Sequence, residues 1–313
     1  MQIKNNPDLN LVSLKEMKIP LDRIIDDFIQ KAEGHLGEDV YDMVEPLRES
    51  IHEKAVDGWV VCDQEKALGF IVLTLQEERG RIPFIHVLSK HENEGLSSLL
   101  IIKAVEELRK GGAHMINSEV LAVVDREHIL KTFEELGFQI VKRMIMSTIL
   151  SDVSEPLIPP GYSVISWDDT YLEGVAKLIY DANVGKVDQQ IYPVMKTVEG
   201  TTQLVKGIIA GEAGSFDREA SLILLREGET CGAILFAQST AHQGFIAEMA
   251  IAGHQQGKGL GTVLMAKSFF IASHQGIKTV RLGATEENQS AVRLYQKFRF
   301  IPEQHFFAYV WEG

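Results

Sequence analysis

The chain has 313 residues, 45% of them hydrophobic and 24% charged, and a formal net charge of −13. This profile excludes disordered and collagen-like chains and leaves room for two domains. No run reaches the roughly 18 to 20 apolar residues of a membrane span, and the opening MQIKNNPDLNLVSLKEMKI lacks the basic-then-apolar order of a signal peptide. Cys62 and Cys231 make neither a disulfide framework nor a zinc-ligand spacing, so a cytoplasmic protein without metal is expected. An acidic surface with no basic stripe predicts no nucleic-acid and no membrane partner.

The second half gives the clearer elements. Tyr162–Trp167 alternates like a strand, and Asp168-Asp-Thr caps a helix predicted to run to about Tyr180. A less regular helical region follows to about Ile209. Ala220–Arg226 and Gly232–Ser239 read as strands joined at Glu227-Gly-Glu, a hairpin signature. Phe245–Ile251 is a strand, Gly259–His274 a helix ending at Gly276, and Thr279–Leu282 a buried strand. Asn288–Phe298 is a short helix and Phe306–Trp311 a closing strand. The order predicts a mixed α/β layered domain.

The first half repeats its central part. Cys231–Phe236 lies over Leu68–Leu73, Gly259–Met265 over Gly95–Ile101, and Ala291–Phe300 over Ile129–Phe138, with offsets of 163, 164 and 162. Three blocks in one order at a period near half the length predict two similar domains, 1–153 and 154–313, joined near the proline-rich Ser154–Gly161.

The most informative stretch is Met249-Ala-Ile-Ala-Gly-His-Gln-Gln-Gly-Lys-Gly-Leu-Gly-Thr262, a strand leading through a glycine loop into a helix. Glycines at 257, 259 and 261 let the backbone approach a ligand, and amides at a helix N-terminus suit phosphate. The spacing is neither a P-loop nor the dinucleotide fingerprint.

Gln256-Gly-Lys-Gly-Leu-Gly261 resembles the (Arg/Gln)-x-x-Gly-x-(Gly/Ala) acyl-CoA loop of the GNAT N-acetyltransferase family. Asn288-x-x-Ala291-x-x-Leu294-Tyr295-x-Lys297 is similar to its second signature. The resemblance implies a splayed sheet flanked by helices, repeated in tandem, with acetyl-CoA as co-substrate and an amine of a small molecule or peptide as acceptor. It assigns the amides of Gln256, Gly257, Lys258, Gly259, Leu260, Gly261 and Thr262 to the CoA pyrophosphate. The strand at Met249, Ala250 and Ile251 goes to the pantetheine and thioester, and Asn288 to the opposite side of the cofactor.

Glu248 is the sole titratable side chain of its strand, and alternation puts Ile246, Glu248 and Ala250 on one face, Ala247, Met249 and Ile251 on the other. The family role for Glu248 is general base, and for Tyr295 the acid toward the CoA sulfur; the bland readings are a structural carboxylate and a core aromatic. Asp181, Asp188 and Tyr192 lie in the region that covers the acceptor side of this fold. The family's usual glycine after the short helix is Arg299 here. In the first half, Glu92, Asn93, Ser97, Phe84 and Phe133 replace Gln256, Gly257, Gly261, Glu248 and Tyr295, so that half is expected to be silent, with Glu92 filling the anion site itself, and to help form the acceptor site. It also carries most of the charge, −10 over residues 1–156 against −3 beyond. The alternative to an acetyltransferase is a non-catalytic CoA-binding scaffold.

Overall fold

The structure is a computed structural model that describes residues 9–36, 39–64, 66–120, 122–151 and 153–313. Its elements run β1 (Leu9–Ser13), α1 (Asp22–Leu36), α2 (Asp39–His52), β2 (Asp57–Asp63), β3 (Lys66–Gln76), β4 (Arg79–Val87), α3 (Leu96–Lys110), β5 (Met115–Ser118), α4 (Arg126–Glu135) and β6 (Gln139–Ile149). They continue with β7 (Tyr162–Ser166), α5 (Leu172–Asn183), α6 (Asp188–Ile191), α7 (Val198–Ala210), β8 (Ser215–Phe216), β9 (Leu222–Arg226), β10 (Glu229–Thr240), β11 (Gln243–Ile251), α8 (Leu260–His274), β12 (Thr279–Thr285), α9 (Gln289–Lys297) and β13 (Ile301–Glu312). The repeat seen in the sequence is a repeat of elements: β4 and β11, and likewise α3 and α8, have matching ends 164 residues apart.

The sequence suggests a single join at 153/154, but the compact units trade strands. The first comprises the described residues up to Val141 together with Phe306–Gly313; the second is Lys142–His305. In the first, the order is β1-β2-β3-β4-β5-β13, and β13 pairs antiparallel with β5 from Tyr309 opposite Ser118 to Glu312 opposite Met115. Packing explains the membership: Tyr309, 2% exposed, stacks on Phe133 with ring centroids 4.1 Å apart. Burying each such ring is worth about 1.5–3 kcal/mol. In the second unit the order is β6-β12-β11-β10-β9-β7, with the short β8 added to β10. Here β6 comes from the first half of the chain and pairs antiparallel with β12, Arg143 opposite Thr285.

Each unit's sheet carries helices on both faces. In the second, one face packs against α8 through Leu264, Met265 and Phe269, and the other against α5 and α7 through Val175, Ile179 and Val205. Asp168 caps as expected, accepting from the Thr170 amide, but a 3₁₀ turn at Asp169–Tyr171 comes before α5. Among the described residues no helix is long and apolar enough to cross a membrane.

Candidate active site

The second unit's site begins where two strands part. β11 and β12 pair in parallel from Gln243 with Thr279 to Ile246 with Leu282, and no further. At the same point β11 carries a bulge against β10: Leu235 faces Glu248 and Phe236 faces Ile246, leaving Ala247 as the extra residue. A bulge turns the strand beyond it, which corrects the face expected from alternation. Ile246 packs with Met249 and Ile251 on the α8 side, while Ala247 packs with Ala250 on the α5 and α7 side.

Glu248 comes directly after the bulge. Part of its surface stays accessible, yet it lies deep enough that desolvation pushes its carboxyl up to about 7, against the pull of the Met249 amide that it accepts at 3.0 Å. Asp188 raises it further, and Arg143 and Lys186 act the other way. Asp188 in α6 is held by the Thr285 hydroxyl of β12 at 2.9 Å. The Arg143 guanidinium, on a residue 6% exposed, lies 5.1 Å from the centre of the Tyr192 ring. Tyr295 of α9 shares these surroundings: burial pushes its phenol far up, and the charges of Glu248 and Asp188 push in the same direction. Glu248 and Tyr295 are thus brought together, and Asp188 and Tyr192 with them. Asp181 is not; it is exposed and paired with Lys177 at 2.6 Å.

Arg143, Lys186 and Thr285 are the charged and polar members that sequence reasoning missed. Arg143 belongs to the first half of the chain, and only the pairing of β6 with β12 brings it here. No spacing in the sequence signals that pairing.

At the glycine loop, α8 starts from Gly259 with no side-chain cap, so its first amides face outward as a helix N-terminus does toward an anion. Gly257 and Gly259 both have φ near +78°, where a Cβ is strained. At Gly261 the demand is space, since a Cβ would stand 3.2 Å from Leu294 and 3.4 Å from Met249. The side chains of the loop brace it: Gln256 donates to the Ile251 carbonyl at 3.0 Å, and Lys258 and Tyr162 both donate to the buried Gln255. Leu260 is buried beneath the helix start. Asn288 uses its side-chain oxygen to cap α9, accepting from the Ala291 amide and the Ser290 hydroxyl. These residues fit a diphosphate through main-chain amides, with side chains shaping the turn.

The equivalent loop of the first unit has the same backbone and another occupant. Asn93 takes the left-handed conformation of Gly257, and Gly95 that of Gly259. Asp125, 2% exposed, then accepts from the Asn93 amide at 3.2 Å and from the Ser97 hydroxyl, and pairs with His128 at 2.9 Å. The anion is therefore Asp125, not Glu92; Glu92 instead accepts from the Asp125 amide at 3.1 Å. Phe84, in the place of Glu248, stacks on Phe70.

Cys231 is buried, its thiol pushed up by desolvation and directed at the Leu224 carbonyl. Among the described residues no group of three or more His, Cys, Asp or Glu could hold a metal ion.

A sheet whose parallel pair parts beside a helix that starts from a left-handed glycine, twice in one chain, is the acyl-CoA N-acyltransferase fold in tandem. The chain belongs to the acetyltransferase (GNAT) family, whose profile matches residues 21–138 and 201–300, more than half of the sequence. Among solved structures it is similar to a GCN5-related N-acetyltransferase from Sphaerobacter thermophilus, at 17% identity and a TM-score of 0.67, covering 96% of this chain and 95% of that one. A tandem GNAT protein from the clavulanic acid biosynthesis pathway aligns at 17% identity and a TM-score of 0.62, over 97% and 98%. A GCN5-related glucosamine N-acetyltransferase region of a fungal multi-domain β-N-acetylglucosaminidase matches at 12% identity and a TM-score of 0.67, over 97% of this chain and 38% of that one. No curated protein sequence matches this chain.

Proposed function

We propose that this protein transfers the acetyl group of acetyl-CoA to a primary amine of a small molecule or peptide by direct attack, in the second unit. The observation that carries the reading is that Glu248, its carboxyl near 7, lies within electrostatic reach of a partly buried Tyr295 at the point where β11 and β12 part. The amine nitrogen attacks the thioester carbon as Glu248 takes its proton, and collapse of the tetrahedral intermediate breaks the C–S bond. Tyr295 stays protonated at working pH, so it gives the departing sulfur its proton and regains one from Glu248 or water. A backbone donor of β11 opposes the charge developing on the thioester oxygen. The uncapped start of α8 supports pyrophosphate binding.

The first unit, on this reading, neither binds acetyl-CoA nor catalyses. Asp125 already uses the loop, and a second anion about 4 Å away at an effective dielectric near 20 costs on the order of 4 kcal/mol.

Thiol release from acetyl-CoA, followed with a panel of amines and by the mass gain of one acetyl group on the amine, tests the proposal. Amine-dependent release is expected. CoA binding with no release for any amine overturns it in favour of a CoA-binding scaffold.

A further inference from the structure

The glycines that suit the second unit's loop to an anion leave it little to hold its own shape. Among the described residues, nothing beyond the adjoining ones lies within 4 Å of where a Cβ would stand at Gly257 or Gly259. A backbone that must order as it binds loses affinity, so the loop depends on tethers beside it. Gln255, 3% exposed, ends a 3₁₀ turn at Gly253–Gln255. Its side-chain oxygen accepts from the Tyr162 hydroxyl at 2.7 Å and from the Lys258 ammonium at 2.8 Å. Tyr162 stands in β7, at one edge of the second unit's sheet, with the Arg226 guanidinium 5.6 Å from its ring centre.

The first unit has half of this arrangement. His91 and Glu94 stand at the same 164-residue offset from Gln255 and Lys258, follow the corresponding turn at Ser89–His91, and pair at 3.0 Å. A side-chain tie three residues long thus goes with the loop's backbone in both units. Two things differ. The ring nitrogen of His91 that does not face Glu94 is buried without a hydrogen-bond partner among the described residues, so the third member, Tyr162, is particular to the second unit. There the tie also ends in an ammonium held by a neutral amide, whose charge stays available to an anion, where the first unit has a carboxylate.

We propose that Tyr162 is a positioning residue for the cofactor: from the edge of the sheet, and acting through Gln255, it sets the turn and Lys258 in place before the pyrophosphate arrives. This rests on the reading of the second unit as the acetyl-CoA site.

The full-length chain is titrated calorimetrically with CoA. Tyr162→Phe keeps the ring and loses the hydroxyl; it is expected to bind CoA about tenfold more weakly, the worth of one hydrogen bond, and the loss falls on KM for acetyl-CoA rather than on kcat. Gln255→Met removes both bonds and weakens binding further, and in that background Tyr162→Phe has no additional effect. If Gln255→Met fails to fold, faster amide exchange at Gly257 and Gly259 in Tyr162→Phe is the second expected result. A wild-type chain that binds no CoA overturns the reading of the second unit and this proposal with it. Wild-type binding that Tyr162→Phe leaves unchanged, a Tyr162→Phe loss undiminished in Gln255→Met, or unaltered amide exchange at the two glycines overturns the proposal alone.

Discussion

The loops that open α3 and α8 share one backbone and differ in what sits on it. Residues 93 and 95, like 257 and 259, lie in the left-handed region, although Asn93 stands where the second unit has glycine. Asparagine tolerates that region better than most residues, so the turn outlives the loss of its glycine. Both helices start uncapped, but in the first loop Asp125 holds the Asn93 amide and the Ser97 hydroxyl, where the second loop has Gly257 and Gly261. The strand–loop–helix geometry is thus a property of the fold, whereas ligand binding depends on what the fold leaves unfilled.

Four experiments probe that contrast. The largest expected effect comes from removing the carboxylate that the first unit lacks: Glu248→Gln lowers kcat/KM about a thousandfold. Because burial raises that carboxyl to about 7, the active carboxylate form accumulates above that pH. Wild-type kcat/KM therefore rises with pH up to about 7 and then levels, and the variant loses that limb.

Next comes Tyr295→Phe, which installs the first unit's residue. It is expected to cost about a hundredfold in kcat, with the calorimetric affinity for CoA unchanged; a large loss of affinity would make Tyr295 a packing residue. Third, Asp125→Asn in the first unit weakens charge-assisted bonds from the Asn93 amide and the Ser97 hydroxyl and alters the close contact with His128. It should cost about 2 kcal/mol in urea denaturation, while CoA still binds at one site per chain. Last and smallest is Arg299→Gly. Arg299 has φ +59°, where the first unit's Gly137 has +82°. Glycine there should stabilise by about 1 kcal/mol, read as a higher urea midpoint.

The repeat, the glycine loop and the places of Glu248 and Tyr295 on their elements are legible in the sequence because each is local: a block, a spacing, a residue on an element. Features that strand pairing decides are not. Nothing in Phe245-Ile-Ala-Glu-Met-Ala-Ile251 marks the bulge at Ala247, so simple alternation runs one residue too far. The first unit does carry a mark, since Pro83 occupies the equivalent position and proline inside a sheet belongs at bulges or edges. Arg143 is invisible as a site residue for a similar reason: nothing local to Gln139–Ile149 says which sheet that strand joins. The same holds for Phe306–Trp311, which reads as the last strand of the second half and pairs in the first unit.

That last strand matters during synthesis. Everything up to Val141 emerges from the ribosome long before Phe306, roughly ten to thirty seconds earlier at about 5–20 residues per second. Through that interval β5 is an open edge, with the Phe133 ring waiting for Tyr309 to cover it. The unit that begins first is thus completed last, and its exposed edge is the place where a nascent chain of this protein is open to the wrong partner.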